Sequence, residues 1–535
     1  MLEFRPMSSR LAVTAASSPR SMPDAASREV AFRPVPDPGP LRIWVLRGLV
    51  VAGLAATGYY FSWWSGGDRI ASPLLAVTLV MAGAYSWAQL LSSWFLYLAA
   101  RRRPDPSPIP ATDRPTVDVF VTACGEPYSM IEKALRAAAA MRGEHRTWLL
   151  DDGGDPRLAA LAGRIGAGYL TRDDRADAKA GNINAAVSHT SGDLIAIFDV
   201  DHVPEPEFLE RTVEHFGDAA VGFVQVMLSF RNGKESWFAR AASENCVDFF
   251  NPTSMGMDRL GCGTLMGSNA VIRRQALESA GGYRPGLAED LATSVALHAA
   301  GWKSVYVAEP LAPGIAPPDA RGWFTQQLKW SRGVFEVLVS SFPRAFMRLS
   351  WKQRLCYAVR MTYYWAGPVA AVHMVFTVAV LLGGAAVAQV DLQLYVVHLI
   401  PLLVVALAVR LMALVCWRHP SVRVVPLWRS VALVFTTWPV YTLAWIMAVF
   451  RVHLGFRETP KLKSRRTPWA WLMPQLLACC GLLAAIVYGL AARHTAHPGI
   501  LATFCGLQCL PQLVVLWQAT QHRTVREQVE STVEA

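Results

Sequence analysis

Asp199 and Asp201, in Phe-Asp-Val-Asp-His, stand two positions apart directly after an apolar run. At a strand end such a pair points to one face. Its hard carboxylate oxygens can hold Mg2+ or Mn2+ against the phosphates of a nucleotide, with His202 as a further candidate ligand. Capped and solvated turns produce the same spacing, so the pair gains weight only from its surroundings. Glu289-Asp290 precedes an apolar helical pattern, where a carboxylate can take a proton from an attacking hydroxyl or can cap the helix. Gln326-Gln327-Leu328-Lys329-Trp330 sets amide, cation and indole on one short stretch. An indole face suits a sugar ring and a lysine suits phosphate charge, although the same residues also anchor helices at a membrane interface. Lys179, in Ala-Lys-Ala-Gly-Asn, can clamp a diphosphate or stand as a solvated charge. Asp151-Asp152 follows another apolar run.

These residues need a frame. Apolar runs at 117–122, 147–150, 168–170 and 194–198 read as strands, and amphipathic patterns near 128–141, 155–164 and 180–190 read as helices. Strand–helix alternation predicts a mostly parallel sheet with helices on both faces. Ligands bind such sheets beyond the carboxyl ends of the strands, so both acidic motifs are expected to line one crevice.

The 535-residue chain is 53% hydrophobic and only 17% charged, which is unusual for a soluble enzyme, and the excess lies in discrete runs. Stretches of spanning length occur near 43–64, 73–100, 363–387, 394–416, 469–492 and 499–519, with an ambiguous run near 429–450. Arg101 to Arg103 put the polar block on the cytoplasmic side. A span at 429–450 would place the basic loop 451–466 outside, so six spans are favoured over seven. The run 429–450 is then read as an interfacial helix, as is the basic and apolar segment 342–360. The domains expected are a disordered arm (1–40), two spans (41–100), a cytosolic domain (101–341), interfacial helices with four further spans (342–519) and a cytoplasmic tail (520–535). Much of the +11 net charge borders the apolar runs, where anionic lipid is the natural partner, and no nucleic-acid module accompanies it. The nine cysteines form no CxxC pairs and imply neither zinc nor a disulfide framework.

The order and spacing of the motifs are more specific than any one of them. Thr-Ala-Cys-Gly-Glu-Pro (122–127), Trp-Leu-Leu-Asp-Asp-Gly-Gly (148–154), Lys-Ala-Gly-Asn (179–182), Phe-Asp-Val-Asp-His (198–202), Ala-Glu-Asp-Leu (288–291), Gln-Gln-Leu-Lys-Trp (326–330) and Phe-Arg-Glu-Thr-Pro-Lys (456–461) together resemble a membrane-embedded, processive family-2 glycosyltransferase of the bacterial cellulose synthase type. The resemblance, from about 116 to 461, implies an α/β GT-A (Rossmann-like) cytosolic domain inserted between α-helical transmembrane segments of the plasma (inner) membrane. It implies a metal-dependent, inverting transfer of a hexose from a UDP-sugar, UDP-glucose first, to a growing β-linked polysaccharide that is secreted through the membrane. A non-processive transfer to a membrane lipid is the alternative. By the same resemblance Thr122, Cys124, Glu126, Asp151 and Asp152 hold the uridine and Lys179 meets the diphosphate. Asp199 and Asp201, with His202 nearby, bind Mg2+ or Mn2+. Asp290 is the base, Glu289 beside it binds substrate, and Gln326, Gln327, Lys329 and Trp330 bind the acceptor end and pyrophosphate. Phe456, Thr459 and Lys461 belong to a gating loop (451–468) that closes over nucleotide. Accessory subunits for export are also implied. Four positions depart from the family pattern: Cys124 for tyrosine, Ala288 for threonine, Lys329 for arginine and Glu458 for valine. Lysine keeps the charge of arginine but loses its bidentate fork. The tail is too short for a cyclic-di-GMP-binding domain, so a β-glycan other than cellulose is also open.

Overall fold

A computed structural model describes residues 35–65, 73–383, 391–420, 427–452, 467–492 and 498–533. Two long helices come first, α1 (Gly39–Trp64) and α2 (Pro73–Ala99). The polar block then forms seven strands: β1 (Val117–Ala123), β2 (Arg146–Asp151), β3 (Gly168–Thr171), β4 (Leu194–Asp199), β5 (Val221–Val226), β6 (Ala270–Arg273) and β7 (Lys303–Val307). Their helices are α3 (Tyr128–Ala139), α4 (Pro156–Ile165), α5 (Ala178–Val187), α6 (Phe208–Thr212), α7 (Trp237–Asp248), α8 (Ser254–Arg259), α9 (Arg274–Ser279), α10 (Glu289–Ala299) and α11 (Ala320–Val339).

The sheet runs β3-β2-β1-β4-β6-β5-β7. Strands β1 to β4 pair in parallel, as their connecting helices require, and each of the four expected strands forms within one or two residues of its expected bounds. Alternation within the fully buried β1 feeds two cores. Val119 and Val121 pack with α3 and α4 on one face, and Phe120 packs with α5 and α9 on the other. Strands β5 to β7 carry too little periodicity to stand out in the sequence. Strand β6 enters antiparallel to both β4 and β5, so the sheet is mixed, and the loop before β6 arrives at the carboxyl end of β4.

Beyond the sheet come α12 (Ser341–Ala345), α13 (Trp351–Thr362), α14 (Ala366–Gly383), α15 (Leu392–Trp417), α16 (Trp428–Thr436), α17 (Trp438–Val449), α18 (Met473–Ala492) and α19 (Pro498–Val533). Among the described residues, five helical stretches are long and apolar enough to cross a membrane: Gly39–Trp64, Trp351–Gly383, Leu392–Trp417, Met473–Ala492 and Pro498–Gln521. Helix α2, with 27 residues and no charged side chain, matches them in length. The protein is therefore a multi-pass membrane protein. The segment expected as one interfacial helix at 342–360 is broken at Leu349, and Ser350 opens α13 with a capping box. Helix α13 buries Cys356, Tyr357 and Met361 while Trp351 and Leu355 are exposed. It continues through the turn Tyr363–Trp365 into α14.

The run at 429–450 forms two helices, α16 and α17, bent by 43°. Their 9 and 12 residues reach about 13 and 18 Å at 1.5 Å per residue, each short of the roughly 30 Å hydrocarbon core, but together they are long and apolar enough for one bent span. The break at Thr437 has two causes. Pro439 opens α17, and Thr437 Oγ1 accepts a 2.8 Å hydrogen bond from Trp323 Nε1 of α11.

Candidate active site

Parallel register brings the acidic motifs level. Thr122 of β1 lies beside Leu150 of β2 and Asp199 of β4. Thr122 Oγ1 donates to Asp199 Oδ1 at 3.1 Å. In the loop after β1, Glu126 Oε2 accepts from the Cys124 amide at 2.7 Å. The two aspartates after β2 divide their work. Asp152 is gripped by Arg172, with Nε to Oδ1 at 2.7 Å and Nη2 to Oδ2 at 2.9 Å. Arg172 also donates to the Ala176 and Ala178 carbonyls, which shapes the loop that delivers Lys179. Gly181 lets that loop close in, since a Cβ there would lie 2.1 Å from Ala176 O.

Asp151, expected at the nucleotide, is fully buried and turned away from the cavity. It accepts from the Gly153 amide at 2.7 Å, the Asp155 amide at 2.8 Å and the Tyr169 hydroxyl at 2.9 Å. Its oxygens are taken up in closing the turn, which leaves Asp152 to face the ligand space.

Lys179, on the first turn of α5, pairs with Asp199 Oδ1 and donates to Gly267 O at 2.6 Å. Burial works against its charge, but Asp199, Glu289 and Asp290 together outweigh burial and hold the ammonium above the ordinary lysine range. Gly267 is the hub. Its φ of +82° suits glycine, and a Cβ there would lie 3.7 Å from Asp290 Oδ2, 3.9 Å from Glu289 Oε1 and 4.0 Å from Lys179 Nζ. The next residue, Ser268, accepts from the Asp199 amide at 3.0 Å and donates to Asn269.

Glu289 and Asp290 form the first turn of α10, where the helix dipole favours negative charge. Ala288, not Asp290, occupies the cap position, so the carboxylate is not taken up as an N-cap. Burial, and then the charge of Asp290, push Glu289 up to about 7. Burial also raises Asp290, with Arg360 the strongest opposing influence. Like charges in a site shielded from water cannot both ionise easily.

His202 lines the same cavity as Asp199 and Asp201. Its Nδ1 lies 3.0 Å from Ala312 O and 3.1 Å from Asn269 Nδ2, and its ring packs against Gly314. Among the described residues no three His, Cys, Asp or Glu side chains gather in a metal-binding cluster. Asp199 and Asp201 remain the candidates, and Mg2+ commonly takes only one or two protein carboxylates together with substrate phosphates.

On α11, Gln326, Lys329 and Trp330 share one face at helical spacing and line the cavity. Trp330 is 38% exposed. Burial lowers the Lys329 ammonium from its ordinary range, with Glu289 opposing. Gln327 Oε1 accepts from Tyr441 OH at 2.8 Å. Phe456, Thr459 and Lys461 lie outside the described residues.

Most of these side chains border one cavity of about 980 Å³, at the upper end of ligand-pocket sizes. It runs from Thr122 and Asp152 past Asp290 and Trp330, then between the membrane-length helices to Tyr363, Tyr364, Leu407 and Arg410. Arg410 pairs with Asp248 at 3.2 Å, and Tyr97 donates to the same carboxylate at 2.9 Å. His398 does not reach the cavity. It stacks on Tyr59 with ring centroids 4.1 Å apart.

Sequence reasoning missed Arg172, Gly267, Ser268, Asn269 and Arg360. Arg172 carried a signal, as a charged residue just past the carboxyl end of a strand. The others owe their place to β6 and α13, whose packing no local pattern announces.

The chain is 32% identical over 343 residues to the UDP-forming cellulose synthase catalytic subunit of Xanthomonas axonopodis pv. citri, covering 60% of this chain and 46% of that protein. It is 33% identical over 304 residues to cellulose synthase 1 of Komagataeibacter xylinus, covering 54% of this chain and 19% of that one. The chain thus spans less than half the length of these relatives. Among solved structures, a mannosyltransferase from Pyrobaculum calidifontis, determined with GDP-Man and Mn2+, is 19% identical with a TM-score of 0.49, covering 71% of this chain and 100% of that one. The profile of glycosyl transferase family group 2 matches residues 194–491, more than half of the sequence and the stretch holding the aspartate pair, α10 and α11, so the chain belongs to that family.

Proposed function

We propose that this glycosyltransferase moves a hexose, with inversion, from a UDP-sugar to the end of a β-linked polysaccharide and feeds the product into the membrane through the cavity above its site. UDP-glucose is the donor the relatives' names favour. The observation that carries the reading is the gathering of Lys179, Glu289 and Asp290 around Gly267 at the foot of a cavity that continues among membrane-length helices.

In this reading Thr122, Cys124 and Asp152 face the nucleotide, and Lys179 meets the diphosphate. Asp199 and Asp201 would hold Mg2+ or Mn2+, which neutralises charge on the departing diphosphate. The donor set fits: both are hard carboxylates, and Asp199 already accepts a cation in its pair with Lys179. Asp290 takes the proton of the acceptor hydroxyl as that oxygen bonds to the anomeric carbon. The bond from that carbon to the phosphate oxygen breaks, and UDP leaves with the electron pair. Trp330 stacks on the acceptor sugar. The arginine run at 101–103 supports a cytoplasmic catalytic domain in the plasma membrane.

Membranes carrying the protein are offered a panel of radiolabelled nucleotide sugars with Mg2+ or Mn2+, and the product is digested with linkage-specific glycosidases. A long β-glycan is expected; a discrete glycolipid overturns processivity. Asp290→Asn is expected to lower turnover by about 10²–10⁴-fold while UDP still binds. Turnover near wild type in that variant removes Asp290 from the role of base.

A further inference from the structure

Arg360 has no part in the mechanism above, yet it lines the same cavity as Asp290. It sits on α13, one turn beyond Tyr357. Its Nη2 reaches Met266 Sδ at 3.2 Å, and its guanidinium carbon lies 5.4 Å from the Phe249 ring centroid. Met266 directly precedes Gly267, the hub about which the two carboxylates and Lys179 gather. The other terminal nitrogen, Nη1, is buried and has no hydrogen-bond partner. A buried guanidinium N–H without an acceptor is costly, and in a cavity a bound molecule can supply the missing acceptor.

The placement of Arg360 is built in. His298 lies in the last turn of α10, whose first turn carries Asp290. Its Nδ1 is 2.7 Å from Tyr357 OH and its Nε2 is 3.0 Å from Ser304 Oγ. Gln353 Nε2 also donates to Gly261 O at 3.0 Å. Helix α10 therefore holds the carboxylate at one end and fastens the helix that bears Arg360 at the other.

We propose that Arg360 is a positioning residue: its Nη1–H donates to an oxygen of the acceptor's terminal sugar, next to the attacking hydroxyl, and so seats that hydroxyl over Asp290. The charge of Arg360 also favours the ionised form of Asp290. The proposal rests on the reading of Asp290 as the base.

Arg360→Gln, Arg360→Lys and Asp290→Asn in the full-length protein in vesicles test it, with incorporation from UDP-glucose followed against pH and UDP binding measured separately. Arg360→Gln is expected to lower kcat by about tenfold or more, to leave KM for UDP-glucose and the Kd for UDP within about twofold, and to move the acid limb of the kcat profile up by about one pH unit. Arg360→Lys is expected to return the limb to its wild-type position, since the charge is kept, without restoring kcat, since the planar fork is lost. A merely structural role would lower the rate at every pH and leave the limb in place. That result, or Arg360→Lys behaving like Arg360→Gln at every pH, overturns the proposal. Asp290→Asn separates the two levels. If it retains turnover, the base reading falls; if it is inactive while the limb of Arg360→Gln has not moved, the role of Arg360 alone falls.

Discussion

Glu289 and Asp290 stand side by side in a site largely shielded from water, and the consequence is readable in pH. The Glu289 carboxyl rises from an ordinary 4.5 to about 7 in the folded protein. A raised carboxyl contributes stability that is complete below the unfolded value and is lost as pH climbs through the folded one. Glu289→Gln carries no such charge, so it is expected to melt at the wild-type temperature near pH 4 and at a higher temperature near pH 8, in the nucleotide-free protein. Equal melting temperatures at pH 8 would show that Glu289 is not strained by its surroundings. Active sites commonly trade stability for such strain. Asp151 makes the opposite point. Its position beside Asp152 suggests a shared role, but three hydrogen bonds commit it to the turn.

Elements bring these side chains together and then hold them. Helix α11 presents Gln326, Lys329 and Trp330 to the cavity, and its start is tied to the α16–α17 break through Trp323 and Thr437. Trp323→Phe removes that bond and leaves a small void. Together they are expected to cost about 1–3 kcal/mol of stability. UDP affinity should be unchanged, because in the proposed function the nucleotide is held by residues at the sheet edge. A matched loss of UDP binding would show that the bend shapes the nucleotide site as well. The expected helix at 429–450 was half legible: its apolar length and Pro439 showed in the sequence, whereas the bond from Trp323 comes from more than a hundred positions away.

At the scale of the molecule, one cavity joins a polar sheet edge to a set of apolar helices. Ala370 of α14 lines it beyond the reaction centre. Ala370→Trp is expected to shorten the product or stop its growth while UDP binding persists. Product of wild-type length from that variant would mean the glycan takes another route. Deeper in, the Arg410–Asp248 pair satisfies a charge that the bilayer would otherwise penalise. It links a membrane-length helix to α7 of the catalytic domain.

What the sequence by itself determined was local. Parallel strands β1 to β4 announced themselves as short apolar runs between helical patterns, because strands buried on both faces must be apolar throughout. Asp199 and Asp201 stood out at the end of β4, and Lys179 and Asp290 in the first turns of α5 and α10, as charges at the edges of apolar patterns, whereas Trp330 lies in the middle of α11. Spans were legible because crossing a bilayer demands a length of apolar chain that little else requires. Tertiary structure decided which aspartate faces the cavity, and that Gly267 and Arg360 stand beside the carboxylates. Those outcomes depend on β6 inserting antiparallel next to β4 and on α13 fastening to α10. Both are contacts between residues far apart in the chain, which no periodicity encodes.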